Sequence, residues 1–245
     1  MNHDIHIKGA RLAFKDLVLF DQLNFSIQAN HTTCILGPSG VGKSSLLRML
    51  AGLEAHSTTI SVKNHLSLKQ QIAYMGQNDA LLPWLSVLNN TLFGYILRRN
   101  LTKAYRQQAI DLLQQVGLKE VIHAKPQQLS GGMRQRVALV RTVMENKPVI
   151  LLDEPFAALD AISKIKLQTL LAQLLRHRTI CLVTHDPLEA LRLGHFIYVM
   201  RGRPAHFAEV IKPQGEPPRA IDDTQLLQLE AKLLQQLTEA QASLT

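Results

Sequence analysis

Two segments of the sequence have the residue types of an anion-binding helix start. Residues 37–45 read GPSGVGKSS, and residues 129–139 read LSGGMRQRVAL. In both, serine and glycine lead directly into a helix-forming stretch, where free backbone N–H groups and the positive end of the helix dipole favour a negatively charged ligand. A single anion needs one such site, so the second requires an explanation.

The first segment matches the pattern G-x-x-x-x-G-K-S/T, and it lies between an apolar strand-like run and a helical run, as that pattern requires. We expect its backbone N–H groups to surround phosphates, Lys43 to reach the β- and γ-phosphates, and Ser44 to bind Mg²⁺. The predicted nucleotide contacts are Gly37, Pro38, Ser39, Gly40, Val41, Gly42, Lys43, Ser44 and Ser45.

Two later apolar runs end in polar side chains. The run VILLDE at 149–154 ends in Asp153, which we expect to hold the Mg²⁺ shell, and Glu154, which we predict to be the general base for water attack on the γ-phosphate. The run TICLVTHD places His185 at a second strand end, where we expect it to contact the γ-phosphate side. Gln77, after IAYMG, is a weaker candidate when it is considered alone.

The elements that position these residues alternate between strands and helices, which predicts an α/β fold with a mainly parallel sheet. Short strands are expected at 57–77, and a helical insertion at about 88–128. We predict a nucleotide-binding domain over 1–211, followed at 212–245 by a Pro-rich connector and an amphipathic helix. The apolar face of that helix carries Leu226, Leu229, Leu233 and Leu237, and it either packs on its own domain or contacts a second chain.

Composition limits the possible partners. The net charge is +8 and the pI about 9.7, but the basic residues are dispersed and only 5% of residues are aromatic, so we expect no nucleic acid. No apolar run is long enough to span a bilayer, and the first residues lack a signal-peptide core, so we expect a cytoplasmic chain. Cys34 and Cys181 lie in apolar runs and are predicted to be buried, reduced thiols.

Together these motifs resemble the ATP-binding subunit of an ABC transporter. The resemblance covers residues 4–205, and its motifs occur in order: the phosphate loop, Gln77, LSGGM at 129–133 (the signature segment), Asp153–Glu154, ALD at 158–160 and His185. It implies a P-loop NTPase core with a small antiparallel β subdomain, and it adds Phe14 as the aromatic that stacks on adenine. It also implies Ser44, Gln77 and Asp153 as the magnesium shell.

The resemblance also accounts for the second anion-binding helix start. In this family two subunits associate head to tail, so Ser130, Gly131 and Gly132 would contact the ATP of a second copy, and Asp160 would link the two sites. It implies ATP and Mg²⁺ as cofactors, and integral-membrane permease subunits and a solute-binding protein as partners. The chain would then be peripheral, at the cytoplasmic face of the membrane. Met133 stands where the family usually has Gln, but the Ser and both glycines remain.

The stretch LLPW at 81–84 resembles importers of the nitrate, sulfonate and taurine type, in which the insertion contacts the permease. In the other interpretation, Leu81, Leu82 and Trp84 simply pack inside the insertion. The stretches THDPLEALRLGHFIYVM and PPRAIDD resemble the branch associated with pyrimidine precursors of thiamine. The alternative function is a soluble ABC ATPase that acts on ribosomes or DNA.

Overall fold

The structure is a computed structural model that describes residues 4–14, 17–54, 57–62 and 68–242. Its strands are β1 Ile5–Phe14, β2 Leu17–Ile27, β3 Thr32–Leu36, β4 Ser57–Val62, β5 Ile72–Met75, β6 Val149–Asp153, β7 Thr179–Thr184, β8 Phe196–Arg201 and β9 His206–Phe207. Its helices are α1 Lys43–Leu50, α2 Leu68–Gln71, α3 Val87–Thr91, α4 Phe93–Leu97, α5 Lys103–Gln115, α6 Gly131–Met144, α7 Ala161–Leu174, α8 Pro187–Leu193 and α9 Thr224–Ala242.

A six-stranded sheet in the order β5-β6-β7-β3-β8-β9 forms the centre, and all its pairs are parallel except β8 with β9. Every residue of β3, β6 and β7 is buried, because both faces of these strands are covered. Neighbouring residues alternate between the two cores: Ile35 packs in the one shared with α1, and Leu36 in the one shared with helices α3 to α9. The predicted fold class is confirmed.

The smaller sheet is antiparallel, in the order β2-β1-β4, and the apolar residues of β1 and β2 share a core with Leu46 and Leu47 of α1. The short strands predicted at 57–77 include one error. Residues 68–71 form the helical turn α2, since Leu, Lys and Gln all favour helix, while residues 63–67 of that prediction lie outside the described part.

The helical insertion consists of α3, α4 and α5, followed by 3-10 turns at Lys119–Val121 and Pro126–Gln128. The buried side chain of Asn90 organises its beginning: Oδ1 accepts from Leu82 N–H, and Nδ2 donates to the carbonyl oxygens of Leu82, Leu85 and Ser86. These bonds hold the segment after Gln77 against α3. Leu81 is buried there and Leu82 is partly buried, but 67% of Trp84 is exposed, so the interpretation that all three pack inside the insertion fails for Trp84.

The C-terminal helix packs on the chain itself. Leu226 and Leu233 are buried, Leu229 and Leu237 are partly buried against the same core, and α9 contacts α8 and β8. The apolar face is therefore covered within the chain, as the first of the two expectations stated. The connector is held by Arg219, whose guanidinium donates to five carbonyl oxygens, those of Leu191, Gly194, Pro213, Gln214 and Gly215.

Cys34 and Cys181 are free and buried, as predicted. Among the described residues, every helix is too short or too polar to cross a lipid bilayer.

Two adjacent leucines of α9 test this packing. Leu233 is fully buried and Leu234 is 50% exposed. Leu233→Ala should lower the free energy of unfolding by about 2–5 kcal/mol because it leaves a cavity, whereas Leu234→Ala should change it by less than about 0.5 kcal/mol. Urea unfolding followed by circular dichroism measures both. Equal losses would contradict the described orientation of the helix.

Candidate nucleotide site

The candidate site lies where three neighbouring strands end. Gly37 follows β3, Asp153 is the last residue of β6 and Glu154 follows it, and His185 follows β7. Because β6, β7 and β3 are adjacent and parallel, their carboxyl ends meet at one edge of the sheet. The predicted phosphate loop, carboxylates and histidine are thus brought together by the pairing of the strands.

The phosphate loop leads into α1 through Gly42, whose φ of 109° is a left-handed conformation that favours glycine. The N–H groups of the first turn of α1 have no intrahelical acceptors, which makes this helix start suitable for an anion. Lys43 is buried, and its Nζ donates to the carbonyl oxygens of Gly37 (2.7 Å) and Pro38 (2.9 Å). Burial lowers the pKa of the Lys43 ammonium, and the carboxylates of Glu154 and Asp153 partly offset that effect.

A cleft of about 340 Å³ opens above this loop. It is large enough for a phosphate chain, and its one exposed aromatic, Phe14, stands at the end of β1 with 45% of its surface accessible. The side chain of Val41 is buried in the core shared with α1, and Val41 is not among the residues that line the cleft. The lining residues are Phe14, Leu19, Ser39, Gly40, Gly42, Lys43, Ser44, Ser45, Gln77 and Glu154.

Asp153 lies directly behind Ser44. Ser44 Oγ donates to Asp153 Oδ1 at 3.0 Å, and Asp153 is almost completely buried. Burial raises the pKa of Asp153, and the Ser44 hydrogen bond partly counters this. Hydroxyl, carboxylate and amide oxygens are the ligands that Mg²⁺ prefers, so Ser44, Asp153 and the nearby Gln77 supply a donor set that fits this ion.

Glu154 has an unusual backbone for its residue type, with a φ of 49°. Its N–H donates to Val183 O at 2.9 Å, which fixes this turn against β7. Its carboxylate is mostly buried, and Oε1 lies 3.2 Å from Nδ1 of the half-exposed His185. Strained backbone at a residue that pairs a carboxylate with an imidazole is typical of a functional site.

Gln135 was not anticipated from the sequence. It is buried in α6, where its Nε2 donates to Glu154 O and its Oε1 accepts from Ala158 N–H, both at 2.9 Å. It therefore joins the helix of the signature segment to the turn that carries Glu154. A glutamine inside an amphipathic helix gives no local signal of such a role, because glutamine is ordinarily a surface residue.

The signature segment does form a helix start. Ser130 caps α6, its Oγ accepting from Met133 N–H at 3.2 Å, and a Cβ on Gly132 would come within 3.0 Å of Ala158 O. Asp160, which is exposed, caps α7 by accepting from Ser163 N–H. None of the described residues that line the cleft belongs to 129–133. Within one chain, the second helix start does not complete the cleft.

Comparison with known proteins identifies the family. The ABC transporter family profile matches residues 20–157. An uncharacterized ABC transporter ATP-binding protein of Haemophilus influenzae is 42% identical over 236 residues, 95% of this chain and 98% of its own length. The chain belongs to the ABC transporter family. The predicted family, fold class and ATP hydrolysis are confirmed.

A further relative and two solved structures are also similar to this ABC protein. The aliphatic sulfonates import ATP-binding protein SsuB 2 of Pseudomonas syringae pv. tomato is 39% identical over 241 residues, 96% of this chain and 98% of its own length. Among solved structures, the dimeric bacterial ABC transporter cassette MJ0796 superposes with a TM-score of 0.77 at 28% identity, covering 86% of this chain and 99% of that one. A post-hydrolysis state of that cassette, bound to ADP and Pi, gives a TM-score of 0.75 at 27% identity and the same coverage.

Next to His185 the ABC fold holds a partly buried ionic cluster that was also not anticipated. Lys164 of α7 contacts the carboxylate of Asp186, which caps α8, and its Nζ lies 3.2 Å from Glu189 Oε2. Glu189 is almost fully buried, and burial raises its pKa to about 7, although Lys164 acts in the opposite direction. Asp186, the residue after His185, is thereby connected to α7, the helix that begins after Asp160.

Glu189 should make stability depend on pH. Its pKa is 4.5 ordinarily and about 7 in the fold, so between these values the folded chain binds more protons than the unfolded chain. Stability should therefore fall as pH rises through this range, by up to about 3 kcal/mol in total. Glu189→Gln cannot titrate and should remove this part of the dependence.

The measurement is the free energy of urea unfolding at pH 5, 6, 7 and 8 for the wild type and for Glu189→Gln. The free energy of unfolding of Glu189→Gln, relative to that of the wild type, should increase as pH rises. Glu120→Gln, at an exposed glutamate, is the matched control and should run parallel to the wild type. Parallel curves for Glu189→Gln would show that Glu189 does not titrate in this range.

Proposed function

We propose that this chain is the ATP-hydrolysing subunit of an importer, and that two copies close head to tail on ATP and Mg²⁺. The observation that carries the proposal is the pairing of Glu154 with His185 beside the phosphate loop, in a cleft that lacks the signature segment of its own chain. The dimeric state of the similar cassette MJ0796 supports an assembly of two copies.

Different residues of this chain bind the phosphates, stack on adenine and accept the proton of the attacking water. The N–H groups of residues 39–45 and the Lys43 ammonium bind the β- and γ-phosphates, and Phe14 stacks on adenine. A water oxygen attacks the γ-phosphorus, its proton passes to the Glu154 carboxylate, and the bond to the β-phosphate oxygen breaks to give ADP and phosphate. His185 holds Glu154 through the 3.2 Å contact.

The Mg²⁺ ligands in this proposal are Ser44, Asp153 and Gln77, and the ion supplies positive charge for the phosphate oxygens. The second copy contributes Ser130, Gly131 and Gly132, whose helix start interacts with the γ-phosphate only when ATP is bound. ATP therefore favours the closed dimer, and hydrolysis weakens it. Asp160, at the start of α7, would carry the change between the two sites.

The transport assignment has two supports. The relatives that include SsuB 2 are named as aliphatic sulfonate import proteins, so we infer a sulfonate as the solute, ahead of a nitrate-like anion or a thiamine pyrimidine precursor. On the insertion, Trp84, Ile96 and Leu97 are exposed apolar side chains that suit contact with a permease. The chain would then be a peripheral subunit at the cytoplasmic face, together with a solute-binding protein. These relatives do not favour a ribosome- or DNA-associated ATPase.

Glu154→Gln tests the catalytic assignment. It should leave ATP binding unchanged, lower ATPase turnover by at least about 100-fold, and accumulate an ATP-bound dimer, because the proton acceptor is lost while the phosphate contacts remain. Phosphate release and light scattering measure these. Lys43→Ala should instead weaken ATP binding, and Glu120→Gln should behave as the wild type. Wild-type turnover in Glu154→Gln would refute Glu154 as the base.

Copurification tests the transport assignment. A tagged chain isolated from detergent-solubilised membranes should bring a multi-spanning permease, and Trp84→Ala should lose it because an exposed apolar anchor is removed. Leu227→Ala, a change at an exposed leucine of α9, is the control and should retain it. In the native host, deletion of the chain should abolish growth on ethanesulfonate as the sulfur source but not on sulfate. Ribosomal or DNA-bound partners in place of a permease would refute transport.

A further inference from the structure

A second cavity, of about 380 Å³, lies at the opposite end of the central sheet from the nucleotide cleft. Thr32, the first residue of β3, and Ile180, near the start of β7, line it. The same two strands end beside Gly37 and His185. At about 3.3 Å of rise per strand residue, the two sites are about 15 Å apart along the strands.

The cavity has an apolar floor and a basic rim. The floor is made by buried side chains of α7, of the residue that follows it, and of β7 and α8, among them Leu171, Leu175 and Leu193. The basic residues of the lining are His31, Arg176, His177, Arg178 and His195. This combination suits a ligand with an apolar body and a negatively charged end.

The hydrogen bonds define which ring nitrogens can donate into this cavity. Thr32 N–H donates to His195 Nδ1 at 3.0 Å, so the proton of His195 is on Nε2. Burial lowers the pKa of His195 and the adjacent His31 adds to this, while Glu216 acts in the opposite direction. His195 Nε2–H then points to Glu216 Oε2 at 3.4 Å.

Glu216 is the one acidic residue that lines this cavity in the described part of the chain, and 88% of its side chain is exposed. Its contact with His195 is long and open to water, so it is weak. Arg178 donates to two neutral acceptors, Lys147 O and Asn146 Oδ1, and it has no ion pair among the residues that the structure describes. Arg176 is exposed, with no ion pair among the described residues. The lining therefore carries a net positive charge, and its one carboxylate is easily displaced.

From this geometry we propose that the cavity binds a small organic anion, with its carboxylate or sulfonate group at His195 and Arg176 and its apolar body on Leu171 and Leu175. The bound anion takes the place of the Glu216 carboxylate at His195 Nε2. The site is separate from the nucleotide cleft, and it is bounded by the connector that leads to α9. The protein thus has a ligand site that its ATP chemistry does not use.

Naphthalene-2-sulfonate is a suitable probe, because it has an aromatic body and one sulfonate. Isothermal titration of the full-length chain should show saturable binding of one molecule, and the uncharged naphthalene-2-sulfonamide should bind more weakly. Arg176→Gln should weaken binding of the sulfonate by about fivefold, the effect of one exposed ion pair. Glu216→Gln should strengthen it, since a competing carboxylate is removed.

Arg106→Gln, a change at an exposed arginine of α5, is the matched control and should bind as the wild type does. Saturating ATP and Mg²⁺ should leave the affinity for the sulfonate unchanged. The proposal is wrong if no saturable binding occurs, if Arg176→Gln and Glu216→Gln both bind as the wild type does, or if ATP displaces the probe, because the probe would then occupy the nucleotide cleft. Circular dichroism verifies that each variant is folded.

Discussion

The parallel pairing of β6, β7 and β3 determines where the chemical groups of this protein lie. The register sets Leu36 opposite Thr184 and Asp153 opposite Val183, so the loop after β3, the carboxylates after β6 and the histidine after β7 emerge side by side. A shift by one residue would turn every buried side chain of a strand to the other face, and both faces here are packed. The cost of disturbing two cores therefore maintains the geometry of the cleft.

The groups that could be predicted from the sequence are those with a local signal. The phosphate loop was recognised because strand, glycines, lysine and helix follow one another, and Asp153 because an apolar strand ends in a carboxylate. Gln135 and the cluster of Lys164 with Glu189 could not be predicted, because each joins segments distant in the chain and nothing nearby marks it. Leu81 and Trp84 show the same limit of local signals. They lie three residues apart in one apolar stretch, but Leu81 is buried and Trp84 is exposed. Only tertiary packing distinguishes them.

Buried charged side chains are concentrated around the cleft, and different interactions offset the free-energy cost of burying each of them. Lys43 donates to two loop carbonyls, which preserves its hydrogen bonds but leaves its charge near Asp153 and Glu154 only partly compensated. Asp153 has the Ser44 hydroxyl, a neutral donor, as its hydrogen-bond partner. A buried charge that is only partly compensated is costly, so a ligand that brings phosphates to Lys43 improves the electrostatic environment of its ammonium.

Helix α6 connects the segment that follows Gln77 with the turn that carries Glu154. Near the start of α6, Arg134 forms an ion pair of 2.9 Å with Asp79, which lies two residues after Gln77. Near the end of α6, Arg141 donates to the carbonyl oxygens of Asp79 and Ala80. One turn from the signature serine, Gln135 is bonded to Glu154 and Ala158. A displacement of the signature segment would therefore be transmitted both to the turn that holds Glu154 and to the loop that leads to the exposed Trp84. In the proposed dimer these bonds would be a physical route by which closure on nucleotide at one surface reaches the insertion at another, and they require α6 to move as a rigid element.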